Sequence, residues 1–239
     1  MNIVIVSQKP IQTLNLIYLL GGIDVFPSAI VIVKPSQNNI TKDLLNEYSE
    51  ATVNTLKLQC DVLNIPLHKV NKVTSDDTIN LLNKLNIDLI LLVVLDLIVK
   101  DKFLNTSKHG VISSHGGILP FYRGVDCLRW SILNREKEIG TSTMILNSGV
   151  DTGNIVLTNK INLENELPTN IEQLGKKFYY HKKLYAYLYP IKQLLKNGYI
   201  NTKKQKIAEG KQYFSMHKEL SKIVDTILLK DKKKFPKLV

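Results

Sequence analysis

Two residues in this chain have the types and settings that proton-transfer chemistry requires, His115 and Asp151. His115 follows VISS, a run expected to be a buried strand, and opens the glycine-rich stretch HGGILPFYRG, where backbone can approach a ligand closely and a side chain can meet it. Asp151 stands in the turn GVDTG at residues 149–153. Taken singly, His115 reads equally as catalytic or structural, and Asp151 reads as an Asx-type turn closed on its own backbone. The pair reads differently. Loops leaving two neighbouring strands bring a histidine and a carboxylate within hydrogen-bond reach, the arrangement that orients and charges an imidazole for acid/base work. The other histidines are exposed or packing residues on this reading: His68 and His109 lie in polar, loop-like sequence, and His181 and His217 beside basic or amphipathic helical sequence.

Short runs rich in Ile, Val and Leu supply the frame. NIVIV at residues 2–6, SAIVIV at 28–33 and IDLILLVV at 87–94 lack clean alternation, as expected of strands buried on both faces of a parallel sheet. Helical patterns lie between them at residues 11–20, at 41–63 behind Thr41 as N-cap, and at 76–85 behind Ser75. Strands alternating with helices predict βαβ units and an α/β fold, a Rossmann-like doubly wound, mostly parallel sheet. After Gly110 come the strand VISS, the glycine/proline-rich loop, a short amphipathic helix through Trp130 and Leu133, the strand TSTMIL and the polar turn NSGVDTG. Both loops then fall beyond the carboxyl ends of strands, where ligands bind in such sheets.

From Pro168 the character changes. One long helix is expected over residues 169–196, with Phe178, Tyr185, Leu188, Ile191 and Leu195 at helical intervals and Gly198 ending it. KQYFSMHKELSKIVDTILL reads as a short strand followed by a helix. The expected organisation is a core of residues 1–167 and a smaller, largely helical C-terminal appendage of residues 168–239 with a basic tail.

Composition narrows the function classes. The 239 residues, 44% hydrophobic, suffice for a packed core. No run approaches the ~18 apolar residues of a membrane span, and MNIVIVSQKP lacks the features of a secretory signal, so a cytoplasmic protein without membrane contact is expected. Cys60 and Cys127 have no paired spacing, which disfavours a disulfide scaffold or a zinc site; both read as reduced packing residues, and no metal is expected. Neither G-x-G-x-x-G nor G-x-x-x-x-G-K-[ST] occurs, so a dehydrogenase or P-loop ATPase is disfavoured. The net charge of +11 is concentrated in lysines after Gly175 without interleaved aromatics, reading as a solvated tail more than a nucleic-acid contact.

ISSHGGILPFYRG, WSILN at residues 130–134 and GTSTMILNSGVDTGNIV together resemble the 10-formyltetrahydrofolate-dependent formyltransferases, whose signature runs N-x-H, L-P-x-x-R-G and D-T-G in that order at similar spacing. IDLILLVVLDLIVKDKFLN is similar to the strand and turn that line that family's folate pocket. The resemblance implies that an acceptor amine attacks the formyl carbon of the folate co-substrate, giving a tetrahedral oxyanion. It implies that His115 stabilises the oxyanion and that Asp151 pairs with His115 or removes the amine proton through a water. Ser113 completes the catalytic set. Val94, Leu95, Leu97, Leu119, Asn147, Gly149, Val150 and Asp151 are implied around the folate, and Gly116, Gly117, Arg123 and Gly124 on the acceptor side. Arg123 has a second use in pairing with a carboxylate, and the glycines and Pro120 in setting the turn.

Two positions depart from the family pattern. Ser113 replaces the asparagine of N-x-H, a hydroxyl on a shorter arm instead of an amide, and Met144 stands where many relatives carry histidine. SQKPIQTL after the first strand replaces the phosphate loop of glycinamide ribonucleotide formyltransferases, and the sequence after Pro168 reads as too short and too helical for the tRNA-binding domain of methionyl-tRNA formyltransferases. The compact sugar N-formyltransferases remain, acting on a nucleotide-linked amino sugar in surface-polysaccharide biosynthesis, whose phosphates give the lysine excess a use. YFSMHKEL can supply sheet-edge or dimer contacts, so a homodimer is carried as an expectation beside plain packing. Other readings stay open: a non-catalytic relative binding folate or nucleotide sugar, an enzyme for another amine such as methionyl-tRNA, and an RNA-binding module using the lysine tail.

Replacing Ser113 by Asn is expected to raise kcat for formyl transfer by roughly tenfold or more in a steady-state assay, one oxyanion donor being worth on the order of 100-fold. An unchanged rate would mean that another donor already serves.

Overall fold

Residues whose side chains are apolar on both faces of a strand can only be satisfied inside a layered fold, and the chain's strand runs meet that condition. The computed structural model describes residues 1–35, 48–94, 98–163, 171–175 and 180–234. Among these the chain runs β1 (Ile3–Ser7), α1 (Pro10–Gly21), β2 (Ala29–Val33), α2 (Glu50–Val62), β3 (Leu67–Val70), α3 (Asp76–Lys84), β4 (Leu89–Val93), α4 (Asp101–Leu104) and β5 (Val111–His115). It continues through β6 (Tyr122–Gly124), α5 (Cys127–Leu133), β7 (Glu138–Ile145), β8 (Asn154–Asn162), α6 (Ile171–Leu174), α7 (Tyr180–Tyr185), α8 (Leu188–Asn197), a 3-10 turn (Ile207–Glu209), β9 (Lys211–Tyr213) and α9 (Lys218–Lys234). The strands hydrogen-bond in the order β3-β2-β1-β4-β5-β7-β8, and a separate pair joins β6 to β9. Strand order reverses between β1 and β4, so the expected Rossmann-like, mostly parallel α/β sheet is found, with seven strands.

Two compact units divide the chain, the first made of residues 1–113, 145–149 and 187–201. Its strands pair in parallel, with Val4 opposite Ala29 and Ile90, Ile30 opposite Leu67, and Ile90 opposite Val111. Every residue of β1, β2 and β4 is buried, and Val4, Val6, Val31, Ile90, Leu92, Phe103 and Val111 share one core. Helix α2 begins at a capping box in which Ser49 Oγ accepts from Thr52 N and Thr52 Oγ1 accepts from Ser49 N. Ser75 caps α3 as the sequence predicts, its Oγ accepting from Thr78 N. Tyr187, just before α8, donates its hydroxyl to Leu92 O at the end of β4.

The second unit comprises the described residues of 114–144, 150–186 and 202–239. Ile132, Ile139, Ile161, Leu174, Met216, Val224 and Ile227 form its core, joining α5, β7, β8, α6 and α9. Strands β6 and β9 run parallel, with Tyr122 opposite Lys211 and Gly124 opposite Tyr213. Lys211 N donates to Phe121 O and Val125 N to Tyr213 O, both at 3.1 Å. The Tyr122 and Tyr213 rings stack with centroids 5.0 Å apart, Trp130 tilts against Tyr213 at 5.3 Å, and Asn134 Nδ2 donates to both tyrosine hydroxyls at 3.1 Å.

The helix expected over residues 169–196 is divided, and α8 restarts at Leu188 with Pro190 in its first turn. Pro190 has no N–H to give, and its ring opposes the carbonyl four residues back, so an unbroken helix cannot pass through it. Gly198 does end α8, at φ +77° with its N–H on Leu194 O at 2.9 Å. The 211–234 segment forms the predicted strand and helix, but the three-residue β6 inside the expected loop was not foreseen. The Thr41 cap, Phe178 and the boundary at Pro168 lie outside the described residues. Among the described residues no helix is long and apolar enough to cross a membrane.

Gly124 has φ +96°, and a Cβ there would stand 2.1 Å from Tyr213 O. Gly124→Ala is expected to lower unfolding free energy by about 2–4 kcal/mol in urea titration, through backbone strain and loss of the β6–β9 contact together.

Candidate active site

Strand β5 ends in His115, whose side chain is 9% exposed. The ring is held by backbone from β6. In an extended strand, successive residues turn their N–H and C=O groups to opposite edges. Phe121 O and Val125 N face β9, so the intervening Tyr122 O and Gly124 N face the other way. There His115 Nε2 donates to Tyr122 O at 2.7 Å, and Gly124 N donates to Asp151 Oδ2 at 2.8 Å. The same Asp151 Oδ2 lies 3.4 Å from His115 Nδ1. Two backbone groups of one short strand thus aim the imidazole and the carboxylate at each other. A Cβ at Gly117 would lie 2.3 Å from Tyr122 O and 2.8 Å from His115 Nε2, so only glycine fits against the ring.

Proton bookkeeping follows from the partners. A carbonyl oxygen only accepts, so Nε2 carries a hydrogen and, in the neutral ring, Nδ1 keeps its lone pair toward Asp151. Burial pushes the His115 imidazole below its ordinary value of 6.5, opposed by the Asp151 charge and the Tyr122 carbonyl and assisted by Lys183 on α7. The imidazole thus lies below its ordinary value with a carboxylate beside its Nδ1. A proton arriving there is shared between Nδ1 and Oδ2, and the imidazolium it forms is bracketed by two oxygen acceptors.

Asp151 itself has φ +49°, a left-handed conformation uncommon for a residue with a side chain, in keeping with the predicted turn. The turn is braced from the C-terminal segment: Gln205 Nε2 donates to Asp151 O at 2.9 Å and to Gly153 O at 2.6 Å. Tyr122 and Gln205 were missed by sequence reasoning. Tyr122 acts through its main chain, which no residue type signals, and Gln205 reaches the site only through the fold.

The other expected site residues are placed as follows. Ser113 precedes His115 by two residues on β5, so strand alternation gives the two the same face. Gly116 and Gly117 begin the loop after β5, and Leu119 N donates to Ser142 Oγ at 3.0 Å in β7. Arg123 lies on β6 opposite Gln212, and its Nε is buried without a hydrogen-bond partner among the described residues. Val150 is half-buried beside Asp151. In the first unit, Val94 follows β4 at φ +55°, its carbonyl accepting from Gln8 N at 3.3 Å, and Gly149 N donates to Asn147 Oδ1 at 3.1 Å. Leu95 and Leu97 lie outside the described residues. Met144 is buried. Cys127 is a buried free thiol pushed up to about 12 by burial and by the Asp151 and Asp126 charges, so it is a poor nucleophile. Among the described residues no group of three or more His, Cys, Asp or Glu could hold a metal ion.

The family model described as Formyl transferase matches residues 25–184. The methionyl-tRNA formyltransferase of Finegoldia magna is 33% identical over 122 residues, 51% of this chain and 38% of that protein. The chain thus aligns with about two fifths of that relative's length. Among solved structures, the N-formyltransferase from Helicobacter canadensis in complex with folinic acid and dTDP-3-aminofucose superposes with a TM-score of 0.66 at 16% identity, covering 98% of this chain and 82% of that one. WlaRD, a sugar 3N-formyl transferase in the presence of dTDP and 5-N-formyl-THF, superposes at 0.62 with 18% identity, covering 100% of this chain and 82% of that one. At these identities the likeness is one of fold.

The lowered His115 pKa fixes the sign of a pH effect. Between the depressed folded value and 6.5 the unfolded chain binds more protons, so stability is full above 6.5 and is lost as pH falls through the folded value. Urea unfolding between pH 5 and 8 is expected to show this decline, and His115→Gln to flatten it.

Proposed function

Because the chain belongs to the formyl transferase family, we propose that it transfers a formyl group from 10-formyltetrahydrofolate to the amino group of a nucleotide-linked amino sugar, a cytoplasmic step of surface-polysaccharide biosynthesis. The observation that carries the reading is the buried His115 imidazole set between Tyr122 O and Asp151 Oδ2, with Asp151 fixed by the Gly124 N–H.

An amine that attacks a formyl carbon must shed a proton, and His115 Nδ1 with the Asp151 carboxylate is built to hold one. The 2.7 Å bond to Tyr122 O keeps the ring from turning and stabilises the charged form. General-base help of this kind is worth roughly 10²–10⁴ in rate. With Nε2–H engaged by Tyr122, the geometry supports proton acceptance more directly than the oxyanion role that the family resemblance implies for His115. Cys127, with its thiol at about 12, favours direct transfer over a formyl-cysteine step.

The donor set fits a folate formyl carrier, since a neutral buried base beside a fixed carboxylate is what deprotonation next to an acyl group calls for. When bound, 10-formyltetrahydrofolate supplies the activated one-carbon unit, and Leu119, Val150 and Asp151 are the residues of the second unit proposed to hold its formyl end. Arg123, with its unpartnered Nε, is proposed on the acceptor side together with Gly116, Gly117 and Gly124.

A sugar acceptor is supported by the absence of a glycine-rich phosphate loop where SQKPIQTL runs from the end of β1 into α1, and by the lysine excess. A methionyl-tRNA acceptor is the second reading, favoured by the sequence match to the Finegoldia magna enzyme.

The test is transfer from 10-formyltetrahydrofolate to a panel of nucleotide-linked amino sugars, with methionyl-tRNA assayed in parallel, for wild type and His115→Ala. Turnover with an amino sugar and a kcat loss of about 100-fold or more in the variant are expected. Turnover with methionyl-tRNA alone would transfer the acceptor assignment. Folate binding without turnover on either would replace the enzyme by a non-catalytic relative.

A further inference from the structure

The Asp151 turn is held by a residue that no motif marks. Residues 202–205 enter beside the start of β8: Ile155 N donates to Lys203 O at 2.8 Å, and Lys203 N donates to Ile155 O at 2.7 Å. This pair of hydrogen bonds delivers Gln205, 6% exposed, under the turn, where its one amide nitrogen donates to the carbonyls of both Asp151 and Gly153. Its Oε1 is buried without a partner among the described residues. The orientation is nonetheless the only one that serves, because the opposite one would set Oε1 against two carbonyl oxygens. An acceptor left unsatisfied for the sake of two donors shows what the side chain is there for.

We infer that Gln205 is a positioning residue, holding the Asp151 turn so that its carboxylate stays on His115. The inference rests on the proposed role of that pair. Asp151 contributes its carboxylate to Gly124 N and His115 through one oxygen, Oδ2, while its main chain stays at positive φ. Such a backbone persists only when its surroundings over-determine it. Gln205 supplies that restraint on the main-chain side, and Gly124 on the side-chain side.

Among the described residues, the charges that act on His115 are Asp151, which favours the imidazolium, and Lys183, which opposes it. Release of Asp151 from the ring must therefore lower the His115 titration midpoint. The experiment follows the His115 ring resonance by NMR against pH in the protein alone, assigned by its loss in His115→Gln. The variants are Gln205→Met, Asp151→Asn, their double, and Gln212→Met on the exposed face of β9 as a control. Gln205→Met is expected to lower the midpoint by roughly half a unit or more, in the same direction as Asp151→Asn, with the double variant moving no further than Asp151→Asn alone. Gln212→Met should leave it in place. In the transfer assay kcat should fall about tenfold with KM for the acceptor held.

An unmoved or raised midpoint in a folded Gln205→Met protein, even one with a lower Tm, would overturn the inference and leave Gln205 a packing residue. Should Gln205→Met not keep its fold, Gln205→Asn retains the amide on a shorter arm and is read the same way, an unmoved midpoint again overturning it. No shift in Asp151→Asn would instead sink the pairing on which the proposed function rests, so the two failures are distinguishable.

Discussion

A three-residue strand governs the site. β6 spends one edge on β9 and the other on the candidate site, offering Tyr122 O to His115 and Gly124 N to Asp151. Neither group can be altered by changing a side chain, and both are fixed relative to one another by the 3.3 Å rise of an extended chain. The distance between imidazole and carboxylate is therefore set by backbone geometry. Everything that keeps β6 straight, including the Tyr122–Tyr213 stack and the asparagine shared by their hydroxyls, acts on that distance.

Burial and charge oppose each other at His115, and the balance gives the site its character. Removing an imidazole from water disfavours its charged form, whereas a carboxylate and a carbonyl on its two nitrogens favour it. An exposed histidine would feel neither effect strongly, because water would screen the carboxylate. At 9% exposure water screens neither effect, and burial prevails: the imidazole lies below its ordinary value despite the carboxylate beside it.

The residues after 201 belong to the site as much as to the packing. β9 backs β6, Gln205 braces the Asp151 turn, and Met216 N donates to Asp126 Oδ2 at 2.9 Å, at the N-terminus of α5. The β6–β9 pairing and the Met216–Asp126 bond tie the end of the glycine-rich loop and the start of α5 to a segment about ninety residues later in the chain. Gly210 fits the same scheme, since a Cβ there would stand 1.7 Å from Pro120 O.

The buried strands, the caps at Ser75 and Gly198 and the meeting of His115 with Asp151 were legible in the sequence because each rests on local chemistry. β1, β2 and β4 announce themselves by unbroken apolar runs, Ser75 by its place before a helical pattern, and His115 and Asp151 by residue type at loop positions beyond strands. What only the tertiary structure decided depends on groups far apart or without identity: the main-chain oxygen of Tyr122, the main-chain nitrogen of Gly124, and a glutamine 54 residues from the aspartate it holds. A sequence reports side chains one by one. Which backbone edge faces which residue, and which amide arrives under which turn, is settled by packing, because backbone groups are alike in every residue and only the fold gives them an address.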